Sequence, residues 1–314
     1  MRYYSIDTLK FICAVCVIAI HSPQPEQIQT YITPLLRCAV PVFFMISGYF
    51  TYGKKDIGQT IIKRVKDLSK VLCWALALYI LCFITVNGRD SLQHILHLLT
   101  PQFLIFNSVP HGMHLWYIAA YIYVLAIIYF IDKFNLYKIL FYSIPLLMVS
   151  ALLFGKYSEI IFAQTIESCY TRNFLFTGLP FFATGMLMKS LKRTKQIIVP
   201  LVAFILFYTL GILETRIPNL SNGDWYATTI PLSISMFMFF TNIQQSKDNV
   251  LSKSGREDSF YIYIFHFLFA IIVSKIYEMT SASYLPYCST LMVFTATMLF
   301  IHILRKTKII GKLI

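Results

Sequence analysis

The sequence predicts an all-α protein, a polytopic bundle of about ten transmembrane helices with both termini in the cytoplasm. Three observations lead to this prediction: the composition, the length of the apolar runs and the placement of the basic residues. Of the 314 residues, 57% are hydrophobic and 13% are charged, and the mean hydropathy is +0.66. Soluble domains carry about 25% charged residues. A chain this apolar cannot cover its surface with polar groups, so lipid must surround most of it.

Each apolar run supplies the roughly 20 residues that a transmembrane helix needs. The ten runs are 5–22, 34–52, 68–87, 114–131, 136–154, 172–188, 196–213, 225–242, 259–277 and 284–304. Segment 92–106 is also apolar, but Pro101 interrupts it, so we expect an interfacial or re-entrant piece there. No repeat and no soluble domain is visible, and the sequence therefore predicts one transmembrane domain over residues 1–314.

The connections between the runs alternate in charge, and this alternation sets the predicted orientation. Twenty of the 27 Lys and Arg residues fall on one side. They are Arg2, the six in 53–70, Lys133 and Lys138, the four in 189–195, the three in 247–256 and the four after residue 304. The positive-inside rule makes this side cytoplasmic. The net charge of +13 therefore reflects topology in a lipid bilayer, and no nucleic-acid partner is needed to explain it.

No metal or disulfide chemistry is expected. The Cys13-x-x-Cys16 pair lies inside an apolar run without a second pair of this kind, so it predicts neither a zinc site nor redox chemistry. His94, His97 and His111 share one outer segment, but no Cys or carboxylate joins them at the spacing of metal ligands. The histidines therefore predict no metal site.

The first run carries two polar groups at opposite ends. Ser5 and Asp7 offer N-cap oxygens, and Pro23 ends the helix. Lys10 and His21 are eleven residues apart, almost three turns, which places them on one helix face about 16 Å apart. Lys10 can snorkel to the inner surface and His21 can lie among outer headgroups. However, His21 is also the only group in this helix that can move a proton near neutral pH.

Other polar groups gather at the predicted outer ends of the runs. They are Arg37, His114, Trp116, Arg172 and His266, which lie on four further helices. Ionisable residues inside spans are costly and usually face a cavity or a partner. Together with His21, they predict a shared polar chamber.

Five segments, in this order, resemble the acyltransferase 3 family of membrane acyltransferases, which includes O-acetyltransferases that act on surface polysaccharides. They are IDTLKFICAVCVIAIH, RCAVPVFFMISGYF, HLWYI, RNFLFTGLPFFATGMLM and SFYIYIFH. The resemblance covers nearly the whole chain. In the family's first-helix signature an arginine precedes the histidine; here Lys10 occupies the arginine position and His21 keeps the spacing. Lysine retains the charge but loses the guanidinium fork.

The resemblance implies an acyl-CoA-dependent enzyme of the cytoplasmic (inner) membrane. The donor would be acetyl-CoA or another acyl-CoA from the cytoplasm, with its phosphates received by Lys10 and the basic loop 53–70. Positive-inside topology by itself also explains that loop. The acceptor would be a hydroxyl of an extracytoplasmic or lipid-linked glycan.

In this interpretation His21 is the general base that takes the proton of the acceptor hydroxyl. Arg37, Arg172 or a histidine would offset the charge on the oxyanion. Direct transfer and a transient acyl-histidine both remain open. The set of candidate residues that bind acyl-CoA or substrate is Lys10, Arg37, Ser47, His114, Trp116, Arg172, Tyr263 and His266. Helix packing is the alternative for Ser47, and an interfacial aromatic belt is the alternative for Trp116 and Tyr263.

Two other classes of function remain open. The RCAVPVFFMISGYF segment also resembles the membrane domain of VanT-type serine racemases, which favours a transporter or binding module for a small molecule such as serine. Those proteins append a cytoplasmic racemase domain, whereas this chain stops at Ile314, and we therefore expect the free-standing enzyme. A purely structural membrane protein would leave the intramembrane His and Arg residues unexplained.

Overall fold

The structure is a computed structural model that describes residues 3–87, 100, 112–191, 196–221, 223–243 and 247–307. Of these residues 81% are helical, and none of them forms a strand. The α-helices are α1 (Tyr4–His21), α2 (Glu26–Arg37), α3 (Ala39–Thr51), α4 (Ile57–Asn87), α5 (Trp116–Lys133), α6 (Tyr137–Phe154), α7 (Ser158–Phe162), α8 (Leu179–Ser190), α9 (Ile198–Glu214), α10 (Thr229–Asn242), α11 (Val250–Glu257), α12 (Ser259–Thr280) and α13 (Leu285–Lys306). The predicted all-α class is confirmed for this part of the chain.

Seven segments in the described ranges are long and apolar enough to cross a membrane. They are Tyr4–His21, Glu26–Thr51, Ile57–Thr85, Met113–Lys133, Tyr137–Phe154, Ser259–Thr280 and Leu285–Lys306. Two shorter apolar helices, Ile198–Glu214 and Thr229–Asn242, coincide with two further predicted runs. A span of about 30 Å needs roughly 20 helical residues, which these two helices lack on their own. The count of about ten spans and the orientation of the termini stay predictions, and segment 92–106 lies outside the described residues.

The predicted capping of the first helix by Ser5 or Asp7 is wrong. Helix α1 begins at Tyr4, with Tyr3 as the N-cap residue and no side-chain cap hydrogen bond. Ser5 Oγ instead donates to the carbonyl oxygen of Ile243 at 3.4 Å, and Asp7 Oδ1 accepts from Lys10 Nζ at 2.8 Å. Both side chains are therefore engaged by groups other than the backbone amides of the first turn.

A break at Cys38 separates α2 from α3. Pro41, which has no N–H to donate, lies in the first turn of α3, where the missing donor costs least. The sequence predicted one run over 34–52; the structure divides it and adds a polar helix, Glu26–Arg37, before it.

The chain forms two compact units. Unit 1 comprises Met1–Ile46, Lys192–Pro218 and Trp225–Lys312, and unit 2 comprises Ser47–Leu191, Asn219–Asp224 and Leu313–Ile314. The interpretation as one transmembrane domain stays a prediction.

In unit 1, helix α1 lies at the centre, in contact with α2, α10, α11, α12 and α13. Its closest neighbour is α11: a Cβ added at Gly255 would lie 1.7 Å from the carbonyl oxygen of Asp7. Only glycine allows two backbones to approach this closely. Helix α11 is thereby fixed against the first turns of α1.

In unit 2, helix α5 packs on α4 and on a π-helical turn, Phe174–Gly178, which continues into α8. Asn173 begins this turn, because its Oδ1 accepts from the backbone N–H groups of Leu175 at 2.9 Å and Phe176 at 3.1 Å. Gly48 allows a similarly close approach, since a Cβ there would lie 1.9 Å from the carbonyl oxygen of Phe182. Turns of π-helix occur often at functional sites, and this one follows Arg172 directly.

Candidate active site

The imidazole of His21, the last residue of α1, meets two rings of α12 in unit 1. Its centroid lies 5.3 Å from that of His266, with a tilt of 42°, and 5.2 Å from that of Phe267, edge to face. His21 is half-buried, whereas His266 is fully buried. Unit 1 thus pairs a partly accessible histidine with a buried one.

The surroundings of His266 define which ring nitrogen carries its proton. Nδ1 lies 2.9 Å from the carbonyl oxygens of both Ile262 and Tyr263. A carbonyl oxygen only accepts, so Nδ1 is the donor, and Nε2 of the neutral ring keeps its lone pair. The Tyr263 ring lies 6.3 Å from that of His266 and is itself buried, which distinguishes it from a belt tyrosine.

Lys10, near the other end of α1, forms an ion pair. Its Nζ lies 2.8 Å from Oδ1 of Asp7, and the two side chains are 26% and 9% exposed. The carboxylate offsets part of the positive charge that a phosphate would meet at Lys10.

Arg37, the last residue of α2, lines a cavity of about 120 Å³ in unit 1. The polar side chains around this cavity are Ser22, Gln24, Gln29, Thr33 and Arg37; the rest of its lining is apolar. His21 is not part of the lining, because Ala19 and Ser22 face the cavity and His21 points to α12. In unit 1, therefore, Arg37 and His21 belong to two different microenvironments.

Tyr226, which is buried, lies close to both Arg37 and Glu214. Glu214 accepts from the backbone N–H groups of Ala227 at 2.7 Å and Thr228 at 3.0 Å, and from the Thr228 hydroxyl at 2.5 Å. These hydrogen bonds stabilise the negative charge of the Glu214 carboxylate at the start of α10.

In unit 2, Trp116 and Arg172 come together with an acidic residue that the sequence analysis missed. The Arg172 guanidinium lies over the Trp116 ring at 6.0 Å, and its Nε lies 3.6 Å from Oδ2 of Asp224. His114 is buried with its ring 4.8 Å from that of Tyr79. Asp224 is isolated in the sequence, and no spacing rule connects it to Arg172.

Ser47 belongs to a hydrogen-bonded chain that ends at Arg64. The Ser47 carbonyl oxygen accepts from the Thr51 hydroxyl at 2.7 Å, and Thr51 Oγ1 accepts from Arg64 Nη1 at 2.8 Å. The same Nη1 lies 3.4 Å from the Tyr121 hydroxyl. Burial lowers the pKa of Lys54, and the nearby Arg64 guanidinium lowers it further. Two cations this close together favour an anion between them.

Arg64 is one of six basic residues between 53 and 70, and the sequence offered no means of separating it from its neighbours. Within the described residues, no three His, Cys, Asp or Glu side chains form a group that could hold a metal ion. His94, His97 and His111 lie outside those residues.

The apolar helices and the buried histidines within the described residues define a polytopic helical membrane protein. The chain belongs to the acyltransferase 3 family, whose model, described as an acyltransferase domain, matches residues 3–306. The predicted family is thus confirmed, and with it the broad class of membrane acyltransferase.

Two amino-acid racemases from Enterococcus faecalis are also similar to this chain. One is 25% identical over 304 residues, which is 88% of this chain and 42% of the relative. The other is 27% identical over 199 residues, 58% of this chain and 27% of the relative. The chain spans less than half the length of these curated relatives. No solved structure matches it.

Proposed function

We propose that this protein transfers an acetyl or other short acyl group from acyl-CoA to a hydroxyl of a cell-surface glycan, with His21 as the general base. The observation that carries the proposal is the pair formed by His21 and His266 in a member of an acyltransferase family, 5.3 Å between ring centroids. The half-buried ring can reach a substrate while the buried ring supports it.

The reaction balances as a direct acyl transfer. His21 takes the proton of the acceptor hydroxyl as the hydroxyl oxygen attacks the thioester carbonyl. The new C–O ester bond forms, the C–S bond breaks, and the leaving thiolate of CoA takes up the proton that His21 had accepted, which regenerates the base. Nε2 of His266, the ring nitrogen that does not contact Ile262 and Tyr263, is proposed to accept an N–H of His21 and so to orient the base.

The donor phosphates are proposed to bind at Arg64 and Lys54. Arg64 is oriented by Thr51 and Tyr121, and its closeness to Lys54 leaves a local excess of positive charge. A guanidinium binds phosphate oxygens through two parallel hydrogen bonds. Lys10, whose charge Asp7 partly offsets, has a smaller share in this proposal. We place the protein in the cytoplasmic membrane, with acyl-CoA reaching it from the cytoplasm and a lipid-linked or extracytoplasmic glycan as acceptor.

The test is incorporation of label from radioactive acetyl-CoA into surface glycan of cells that express the full chain. His21→Gln removes the base, so labelling should fall by about 10²-fold or more. His302→Gln, which also removes one histidine but from an exposed position on α13, should label as the wild type does. Equal labelling by wild type and His21→Gln, at equal amounts of protein in the membrane, would exclude His21 as the base.

A second candidate function is the binding or transport of an amino acid such as serine. The similarity to the amino-acid racemases favours it, because the longer alignment covers 88% of this chain and less than half of the relative. Uptake of radioactive serine into vesicles that contain the full chain tests this candidate. Uptake above that of empty vesicles, in the absence of acyl-CoA, would support transport; equal uptake would exclude transport.

A further inference from the structure

The cavity beside Arg37 has no role in the transfer chemistry proposed above, and its lining has a definite chemical character. Gln29, Thr33 and Arg37 follow one another at intervals of four residues, so they form one stripe along α2. This stripe and Ser22 at the end of α1 face the same space of about 120 Å³. Thr33 and Arg37 are half-buried and Gln29 is exposed, so the stripe leads from an exposed position of α2 to a half-buried one.

The wall formed by the α1–α2 connection is fixed by hydrogen bonds to α13. Gln24 Nε2 donates to Thr290 Oγ1 at 2.8 Å and to the carbonyl oxygen of Ala19 at 3.0 Å. Ser289 Oγ donates to the carbonyl oxygen of Pro23 at 2.5 Å. The cavity is therefore formed before any ligand arrives, which lowers the entropic cost of binding.

The polar atoms of the lining select one kind of ligand. Among the described residues that line the cavity, Arg37 is the single charged one, and a guanidinium matches the two oxygens of a carboxylate. The hydroxyl protons of Ser22 and Thr33 are donated to the carbonyl oxygens of Ile18 at 2.8 Å and Gln29 at 2.7 Å. Their oxygens can therefore only accept, as a ligand ammonium or hydroxyl group requires.

We propose that this cavity binds a carboxylate that carries a hydroxyl or ammonium group on the adjacent carbon. Arg37 binds the carboxylate, while Ser22 and Thr33 accept from the neighbouring donor. The cavity has a volume of about 120 Å³, which is enough for such a group. The carboxylate can belong to a free amino or hydroxy acid or be the substituent of a larger acceptor.

Binding is measured with the purified full chain in detergent and without an acyl donor, so the outcome does not depend on the transfer reaction. L-serine and L-lactate supply the free acids, and glycerol and ethanolamine are matched molecules that lack a carboxylate. N-acetylneuraminate, in which the ring carbon next to the carboxylate carries a hydroxyl, tests the substituent of a sugar, and N-acetylgalactosamine is the sugar without a carboxylate. We expect L-serine and L-lactate to raise the Tm and glycerol and ethanolamine to leave it unchanged.

Three variants decide whether the cavity is responsible. Arg37→Gln should weaken binding of L-lactate at least tenfold, and Thr33→Val should weaken it severalfold while leaving the charge in place. Arg216→Gln, which removes an exposed arginine of the same unit that lies over Tyr31, should bind as the wild type does. If N-acetylneuraminate binds and N-acetylgalactosamine does not, the carboxylate can be the substituent of a larger acceptor; if L-serine and L-lactate alone bind, the ligand is a free acid.

The proposal is overturned if none of the carboxylates binds, if glycerol binds as well as L-lactate, or if Thr33→Val and Arg37→Gln both bind as the wild type does. Size-exclusion profiles identify a variant that has not folded. Thr33→Val then still tests the cavity, because it replaces a side chain by one of nearly equal volume.

Discussion

The ring centroids of His21 and His266 lie 5.3 Å apart, although 245 positions separate the two residues in the chain. His266 turns its protonated Nδ1 toward two carbonyl oxygens of its own helix, at 2.9 Å each. The geometry therefore defines the tautomer of the buried ring before a substrate is present. This relationship is the basis of the proposed general-base role of His21, and it leads to the first prediction.

His266→Asn should lower kcat for acyl transfer by about tenfold to a hundredfold and change the pH dependence of kcat. The Asn amide can still donate to the carbonyl oxygens of Ile262 and Tyr263, but it presents no lone-pair nitrogen in the direction of His21. His266→Gln reaches the Nε2 position and should be less severe. The rate is measured from pH 5 to 9 for the wild type and both variants. A loss of activity with an unchanged pH profile would indicate a structural role alone.

Arg64→Gln should raise the KM for acetyl-CoA by about tenfold and leave kcat within a factor of three. The guanidinium is proposed to bind donor phosphates, a contact that is made equally in the ground state and the transition state. Arg64→Lys keeps the charge but loses the fork and should be intermediate. Lys63→Gln, the exposed neighbour, is the matched control. An equal rise in KM for Lys63→Gln would mean that the loop acts through its total charge.

Gly255→Ala should lower the free energy of unfolding by about 1–3 kcal/mol, in line with overpacking elsewhere. The added Cβ would lie 1.7 Å from the Asp7 carbonyl oxygen. Because this contact is between the helix backbones of α11 and α1, a small side-chain movement cannot relieve it. Gly58→Ala on α4 is the control, since its Cβ would meet Tyr129 Cε2 at an ordinary 3.5 Å. Thermal unfolding of both variants in detergent measures the difference. A Tm for Gly255→Ala equal to that of Gly58→Ala would contradict the packing described for α1 and α11.

Ser221→Ala should make the segment around residue 221 more sensitive to proteolysis. In unit 2, Ser221 Oγ lies 2.7 Å from Ser158 Oγ and accepts from the backbone N–H of Glu159 at 3.1 Å. Lys156 Nζ donates to the Ser221 carbonyl oxygen at 3.0 Å and would remain. Ser190→Ala, which removes one exposed hydroxyl, serves for comparison. Cleavage is followed by mass spectrometry, and an unchanged pattern would show that these hydrogen bonds add little.

The predicted orientation places residue 55 in the cytoplasm and residue 170 outside. With the native cysteines replaced, Tyr170→Cys should react with a membrane-impermeant maleimide in intact cells, whereas Lys55→Cys should react only after lysis. This expectation follows from the six basic residues of 53–70 and the positive-inside rule. The reverse pattern would invert the topology and remove the basis for a cytoplasmic donor.

The amino-acid composition and the pattern of apolar runs were sufficient to predict that this is a helical membrane protein. The apolar runs predicted helices that the structure contains, and the set of motifs around Lys10, His21 and His266 predicted the family. These properties are local or additive: an apolar run becomes a helix in lipid because its backbone must satisfy its own hydrogen bonds. The close approach at Gly48 was predictable for the same reason, as a small residue in an apolar run.

Other properties depended on residues far apart in the chain. The sequence predicted Asp7 as a helix cap, but its carboxylate binds Lys10. Nothing in the sequence indicated a role for Asp224, which the fold places beside Arg172. The sequence did not distinguish Arg64 from the five other basic residues of its loop. The structure does, because Arg64 donates hydrogen bonds to Thr51 and Tyr121. The sequence by itself determined a membrane-embedded acyltransferase with a histidine at the end of its first helix. Only the tertiary structure decided what each charge meets, because side-chain contacts between helices follow from packing and not from spacing along one helix.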